Sequence, residues 1–133
     1  MAIINTFAKC LESPYLLEDP TAADRVAELL AKAADRLEGA ANLRAGEGDP
    51  TDLLLLCHEA MFCGLRALVY ARGYREMGLR CLMLACEALY VKTGELDAEH
   101  LRRFELAQRL KLAPAEALES ASAFSRRVLE LLA

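Results

Sequence analysis

Residues 53–92 contain two helix-length apolar blocks separated by a short Gly-Tyr segment, and they constrain the fold more than any other part of the chain. The first block is apolar almost all the way round a helix, which indicates a helix that is buried on most sides. Its few polar side chains, Asp52, Glu59 and Arg66, recur every seven residues and share one narrow stripe, with His58 beside them. The sequence therefore predicts a central helix surrounded by other helices, with one polar stripe.

The composition limits the class of protein. The 133 residues are enough for one domain, and 55% of them are hydrophobic, which is above the usual globular share. Either the core is unusually large or an apolar face is buried against a partner, and the excess favours an oligomer. The net charge of −4 disfavours a nucleic-acid binder that relies on its overall field. Charged residues interrupt the apolar stretches and the N-terminus lacks a secretory pattern, so we expect a cytoplasmic protein with no membrane span.

The five cysteines form no Cys-x-x-Cys pair, and their number is odd. Without a secretory signal, a disulfide framework is not expected. A zinc site needs about four ligands at suitable spacing, and the adjacent Cys57 and His58 diverge by about 100° on a helix. We predict no metal site and no cofactor, and we interpret the cysteines as small core residues. They are Cys10, Cys57, Cys63, Cys81 and Cys86.

Helix signals recur along the whole chain, and no segment shows the sustained alternation of a strand. Residues 1–20 form a lead-in in which residues 3–11 can make a short helix. The first long helix is expected to be capped by Thr21 and broken by Gly39 and the glycine-rich segment that follows. The other predicted helices cover residues 51–71, 75–91 and 97–112 and the segment that begins at Pro114. Short connections between long helices predict an all-α fold, an up-down antiparallel bundle of four to five helices in a single domain, residues 1–133.

Several segments match motifs of one family in order and spacing. They are EAMFCGLRALVYARGYRE, LYVKTGELDAE and RRFELAQ, and the chain from the second long helix to the start of the last one resembles the HEPN family. HEPN domains are small all-α domains of bacteria and archaea. The residues that carry the resemblance are 60–62 (Ala-Met-Phe), 92–97 (the Lys-Thr-Gly-x-Leu-Asp turn) and 104–106 (Phe-Glu-Leu). The segment AELLAKAADRLEGAANL fits the first bundle helix of that family.

The resemblance implies a four- or five-helix bundle that is usually dimeric. Many HEPN proteins cut RNA without a metal ion, using an Arg and a His four to six residues apart, and many are paired with a small nucleotidyltransferase in toxin–antitoxin or phage-defence systems. In such a site the Arg neutralises the phosphate and the His moves a proton. In this chain no Arg precedes His58 or His100 at that spacing, and Ala107 stands where related sequences carry Arg. Arg109 is offset from that position by about 200° round the helix.

The polar stripe of the central helix, with His58, Glu59 and Arg66, is the main candidate for a binding site or interface. One interpretation is a solvated edge on which Glu59 reaches Arg66 or a neighbouring helix. Another is a pocket or dimer-interface cluster in which His58 titrates near neutrality. Arg80 and Arg109 are candidates for a basic surface that could contact nucleic acid. Acidic residues are interleaved with these cations and aromatic residues are few, which indicates a mixed-charge surface instead.

Two functions are consistent with these patterns. The first is a non-catalytic HEPN-like binding and assembly module, a homodimer that acts with a protein partner such as a nucleotidyltransferase or that binds a nucleotide or RNA. The missing Arg-to-His spacing and the excess of apolar residues favour this function, and we assign no catalytic residue. The alternative is a metal-independent endoribonuclease of the toxin type with a rearranged site. Its candidate residues are His58, Arg66, His100 and Arg109.

Overall fold

The computed structural model describes residues 3–133, and this part of the chain is mostly helical. The α-helices are α1 (Phe7–Leu11), α2 (Val26–Ala45), α3 (Pro50–Ala71), α4 (Leu79–Cys86), α5 (Ala98–Gln108) and α6 (Pro114–Leu132). A 3-10 turn, Pro20–Arg25, precedes α2, and a π-helical turn, Glu87–Val91, extends α4. Two short strands, β1 (Leu16–Glu18) and β2 (Tyr74–Glu76), form an antiparallel pair. The predominantly helical fold was predicted, and the small sheet was not.

Two helix starts follow the signals read from the sequence, and a third lies one residue before the predicted start. Asp97 caps α5 by accepting a hydrogen bond from the Glu99 N–H at 2.8 Å. Pro114 occupies the first turn of α6, where its missing N–H costs nothing. At the start of α3, Asp49 accepts hydrogen bonds from the backbone N–H groups of the first turn. The helix predicted to begin at residue 51 therefore begins at Pro50.

Other boundaries differ from the prediction. Thr21 does not cap the first long helix, because α2 begins at Val26 with no side-chain hydrogen bond at its cap. Thr21 lies in the preceding 3-10 turn, where Asp19 accepts a hydrogen bond from its N–H at 3.0 Å. Gly39 does not break α2, since one glycine costs a helix only about 1 kcal/mol and the neighbouring Ala40 is fully buried. At its other end α5 stops at Gln108, before the predicted residue 112, because Leu110 has a φ of 55° and cannot continue the helix.

The β1–β2 pair replaces the predicted start of the helix at residue 75. Gly73, with a φ of 85°, ends α3 and turns the chain. Leu16 then pairs with Glu76, and both side chains are buried. Strands of three residues are too short to show alternation in the sequence, so the periodicity gave no sign of them. Because β2 uses these residues, α4 begins only at Leu79.

α3 lies at the centre of the described fold and packs against α2, α4, α5 and α6. A Cβ atom on Gly64 of α3 would lie 3.0 Å from Cε2 of Phe124, so glycine allows α6 to approach closely. Tyr90 donates a hydrogen bond from its hydroxyl to the carbonyl of Leu68 at 2.5 Å. The largest fully buried side chains are Tyr90, Phe104, Phe124, Leu16 and Met61, and they belong to one hydrophobic cluster.

α3 is also long and apolar enough to cross a membrane, by length and composition only, which corrects the expectation that no segment approaches such a span. Within the fold, 61% of its most apolar 18 residues are buried by the rest of the protein. Core helices of soluble proteins meet the same criteria. Burial on most sides is the feature that its sequence predicted.

The structure joins Cys10 and Cys81 in a disulfide, which corrects the expectation that all five cysteines are unpaired core residues. The register of the strands explains the pairing. Because Leu16 lies opposite Glu76, the segment before β1 runs beside the segment after β2, and this brings α1 against α4. The remaining cysteines, Cys57, Cys63 and Cys86, are free and buried, as predicted.

Candidate functional site

A row of exposed and half-exposed side chains follows one face of α3, and we call this row the α3 stripe. It consists of Asp52, Leu55, Glu59, Phe62 and Arg66, at alternating spacings of three and four residues. Such spacing keeps side chains on one side of a helix. The side chain of Leu55 is 51% exposed, although leucine is usually buried. The polar stripe expected from the sequence is therefore present, and apolar residues alternate with its charges.

Glu59 and Arg66 do not contact each other; each binds a different part of the chain. Glu59 forms ion pairs with Lys32 at 3.7 Å and with Arg36 at 3.1 Å, both from α2. Arg66 donates from Nε to a carboxylate oxygen of Glu76 in β2 at 2.9 Å. The partner expected for Glu59 is Arg66 or a neighbouring helix, and in the structure the partner is the neighbouring helix α2.

Glu76 is the buried acid of this region, and sequence reasoning did not identify it as a site residue. Its carboxylate accepts hydrogen bonds from Arg66 and from the hydroxyl of Tyr70, the latter at 2.5 Å. Burial and the hydrogen bond to Glu76 raise the pKa of Tyr70 to about 12. A buried charge is tolerated only when it is paired and hydrogen-bonded, and these two donors meet that need. The cluster attaches β2 to α3.

His58 lies among aromatic rings beside the α3 stripe. Its ring stacks on Phe104 of α5, with centroids 5.1 Å apart, and meets Phe62 edge-on at 6.0 Å. Its Nε2 atom is buried and has no hydrogen-bond partner among residues 3–133. Burial lowers the pKa of His58, and the charge of Glu59 opposes this only in part. The imidazole is therefore neutral at pH 7, and it gains a proton only at a more acidic pH than an ordinary histidine does.

Acidification is expected to destabilise the protein through His58. Because the pKa of His58 is lower in the folded state than its ordinary value of about 6.5, the unfolded chain binds its proton first as the pH falls. The free energy of unfolding should decrease from about pH 6.5 downwards and should stop changing, for this residue, below the folded pKa. Urea titrations at several pH values between about 5 and 7 measure this slope, in a range where most carboxylates are already ionised.

His58→Phe keeps an aromatic ring against Phe104 and removes the titrating group. We expect it to reduce the slope of stability against pH without abolishing it, because burial also lowers the pKa of His100. An unchanged slope in this variant would show that His58 does not titrate differently in the folded and unfolded states.

His100 lies beside two arginines that the sequence analysis did not connect with it. Its ring packs against Phe124 at 5.4 Å. Burial lowers its pKa, and the charges of Arg127 and Arg103 act in the same direction. Arg127 donates to the backbone carbonyl of Glu95 at 2.7 Å, which places α6 against the turn before α5. Arg127 lies far from His100 in sequence, so only the packing of α5 and α6 reveals this arrangement.

The two candidates for a basic surface do not form a cationic patch with these arginines. Arg80 donates from Nε to the carbonyl of Ile4 at 2.7 Å and lines a cleft of about 250 Å³ that also contains Glu105. Arg109 follows α5 and is exposed. Arg102 and Arg103 both pair with Glu99. The cations in this part of the structure are interleaved with acids, as their order in the sequence indicated.

Within residues 3–133, no group of three or more His, Cys, Asp or Glu side chains is arranged to hold a metal ion. Comparisons of the chain with protein-family models, with curated proteins and with solved structures found no match. The resemblance to HEPN domains therefore depends on the sequence motifs, and the functional argument depends on the contacts described above.

Proposed function

We propose that this protein is a HEPN-like binding and assembly module that does not cleave RNA. The observation that carries this proposal is that Glu59 and Arg66 of the α3 stripe are held by residues of their own chain, while His58 is neutral and packed between aromatic rings. Metal-independent RNA cleavage needs a cation that can reach the phosphate and a group that can exchange a proton. Beside Arg66, which pairs with Glu76 through Nε and stacks on Phe62 at 4.3 Å, the buried and neutral His58 cannot exchange a proton with a substrate.

The assembly part of the proposal has separate support. The composition is rich in apolar residues, and Leu55 remains exposed on an otherwise buried helix. With the half-exposed Phe62, Leu55 gives the α3 stripe two apolar side chains between charged ones, and interfaces combine an apolar centre with a polar rim in this way. The short connections between α2 and α3 and between α5 and α6 fit an up-down antiparallel bundle. From the HEPN resemblance we infer a homodimer and a protein partner of the nucleotidyltransferase type.

The alternative function is a metal-independent endoribonuclease of the toxin type, and one observation favours it. His100 of α5 packs on Phe124 of α6, and the charges of Arg103 and Arg127 act on it, although those of Asp97 and Glu99 oppose them. The arginines and the histidine do not have the spacing that the family motif would show. In such a site Arg127 would neutralise the phosphate and His100 would move the proton. Against this, Arg127 also pairs with Glu130 and Arg103 with Glu99.

RNA cleavage distinguishes the two functions. The purified protein is incubated in EDTA with structured and single-stranded RNA, beside alanine variants of the candidate residues, with Arg44→Ala as the exposed control. The variants are His100→Ala, Arg127→Ala, His58→Ala, Arg66→Ala and Arg109→Ala. We expect no cleavage by the wild type above the level of the variants. Cleavage by the wild type that His100→Ala or Arg127→Ala abolishes, with helical content unchanged by circular dichroism, would establish the endoribonuclease and reject the non-catalytic module.

A further inference from the structure

The order of side chains along the α3 stripe is nearly symmetric about its centre, except that the two end charges have opposite signs. It runs from Asp52 through Leu55, Glu59 and Phe62 to Arg66, so an anion and a cation stand at its ends and an apolar residue lies inside each end. The centre of this arrangement is Glu59. A second copy of the stripe, laid antiparallel against the first, would therefore match opposite charges and apolar side chains at the same time.

A two-fold axis near Glu59 produces this match. It places Asp52 opposite Arg66 of the second copy and Leu55 opposite Phe62 of the second copy, and each contact occurs twice. Such a repeat of the same patch on both subunits is the property of a two-fold interface. Arg66 is suited to a second carboxylate because its bond to Glu76 uses Nε, and the terminal nitrogens of a guanidinium are further donors.

The axis would bring two Glu59 side chains towards each other, which costs energy unless cations are near. Lys32 and Arg36 of α2 supply them, at 3.7 Å and 3.1 Å from the Glu59 carboxylate. In a dimer these α2 cations would lie beside the Glu59 of both copies. The charges at the centre of the stripe are then neutralised in the dimer as well as in the single chain.

We propose that the α3 stripe is the interface between two copies of this chain, paired antiparallel around Glu59. The proposal deepens the assembly function and depends on it for the expectation that the chain self-associates. A second copy of the chain is the expected partner because the order of charges along the stripe is complementary to itself. The exposed Leu55 would be buried against the half-exposed Phe62 of the second copy and the Arg66 side chain that stacks on that ring, and burial of an apolar side chain contributes to association.

Leu55→Lys tests the interface, with Leu129→Lys as the matched control. Both leucines are more than half exposed, at 51% and 56%, and Leu129 lies on α6, away from the stripe. The wild type should be a dimer by sedimentation velocity at micromolar concentration. Leu55→Lys should raise the dissociation constant of the dimer by about tenfold or more, because a cation would replace a buried apolar side chain and would face the Arg66 guanidinium that stacks on Phe62. Leu129→Lys should leave it unchanged.

Asp52→Asn tests the charge pairing independently. Dimerisation of the wild type should weaken with added salt, and the substitution should weaken the dimer and reduce that salt dependence, because the variant lacks the ion pair with Arg66 of the second copy. A monomeric wild type, or a Leu55→Lys variant that dimerises like the wild type, would overturn the proposal. So would equal weakening by Leu55→Lys and Leu129→Lys.

The two proposals fail in distinguishable ways. A dimer that cleaves RNA would reject the non-catalytic function and leave the α3 interface intact. A monomer that does not cleave RNA would reject the interface and the homodimer, and would leave the non-catalytic function and the separate protein partner standing.

Discussion

Replacing Phe124 with alanine is expected to lower the free energy of unfolding by about 3 to 5 kcal/mol. Phe124 is only 1% exposed, and its ring fills the space between α6 and the Cα of Gly64 in α3. The other side of the ring packs against His100 of α5. Truncation removes buried apolar surface and leaves a cavity between three helices, and a rigid helix pair cannot close such a cavity fully.

Urea unfolding followed by circular dichroism measures this loss. Leu129→Ala is the matched control, since Leu129 lies on the same helix but is 56% exposed, and its truncation should change stability by only about 0.5 kcal/mol. If Phe124→Ala and Leu129→Ala unfolded at the same urea concentration as the wild type, the packing of α6 on α3 would not be as described.

Breaking the Cys10–Cys81 disulfide is expected to lower the free energy of unfolding by about 4 kcal/mol. The two cysteines are 71 residues apart in sequence, so the bond closes a long loop and removes much conformational freedom from the unfolded chain. The bond also ties α1, which is only five residues long, to α4. We expect the lead-in to detach more easily from α4 when the bond is reduced.

Unfolding in the presence and absence of a reductant measures the contribution of the bond. The wild type should unfold at a lower urea concentration when reduced, and the Cys10→Ala/Cys81→Ala double variant should be insensitive to the reductant. A thiol assay in denaturant should find three thiols without reductant and five with it. Five reactive thiols in the oxidised preparation would show that the bond does not form in solution.

Local signals were sufficient to predict most of the helices. Asp97 and Pro114 act through side-chain and backbone chemistry within a few residues, so their effect does not depend on distant parts of the chain. The glycine at position 39 was misread because its cost to a helix is small compared with the stabilisation from packing α2 on α3. β1 and β2 were missed because each is stabilised by the other across a long separation in sequence.

The candidate site was predictable in its position but not in its contacts. The seven-residue recurrence of Asp52, Glu59 and Arg66 identified a stripe, because residues at that spacing share a face of any α-helix. The partners of those residues come from other elements: Arg36 from α2 and Glu76 from β2. No pattern within α3 carries information about which distant side chains will face it.

By itself, the sequence determined the mainly helical character of the chain, the central and buried position of α3, and the order of charged and apolar residues along its exposed face. These follow from periodicity and capping, which act over one or two helical turns. Only the tertiary structure decided that Cys10 meets Cys81, that Glu76 binds Arg66, and that His58 is buried among aromatic rings. Each of these contacts joins residues from different elements, and their distance depends on how the elements pack.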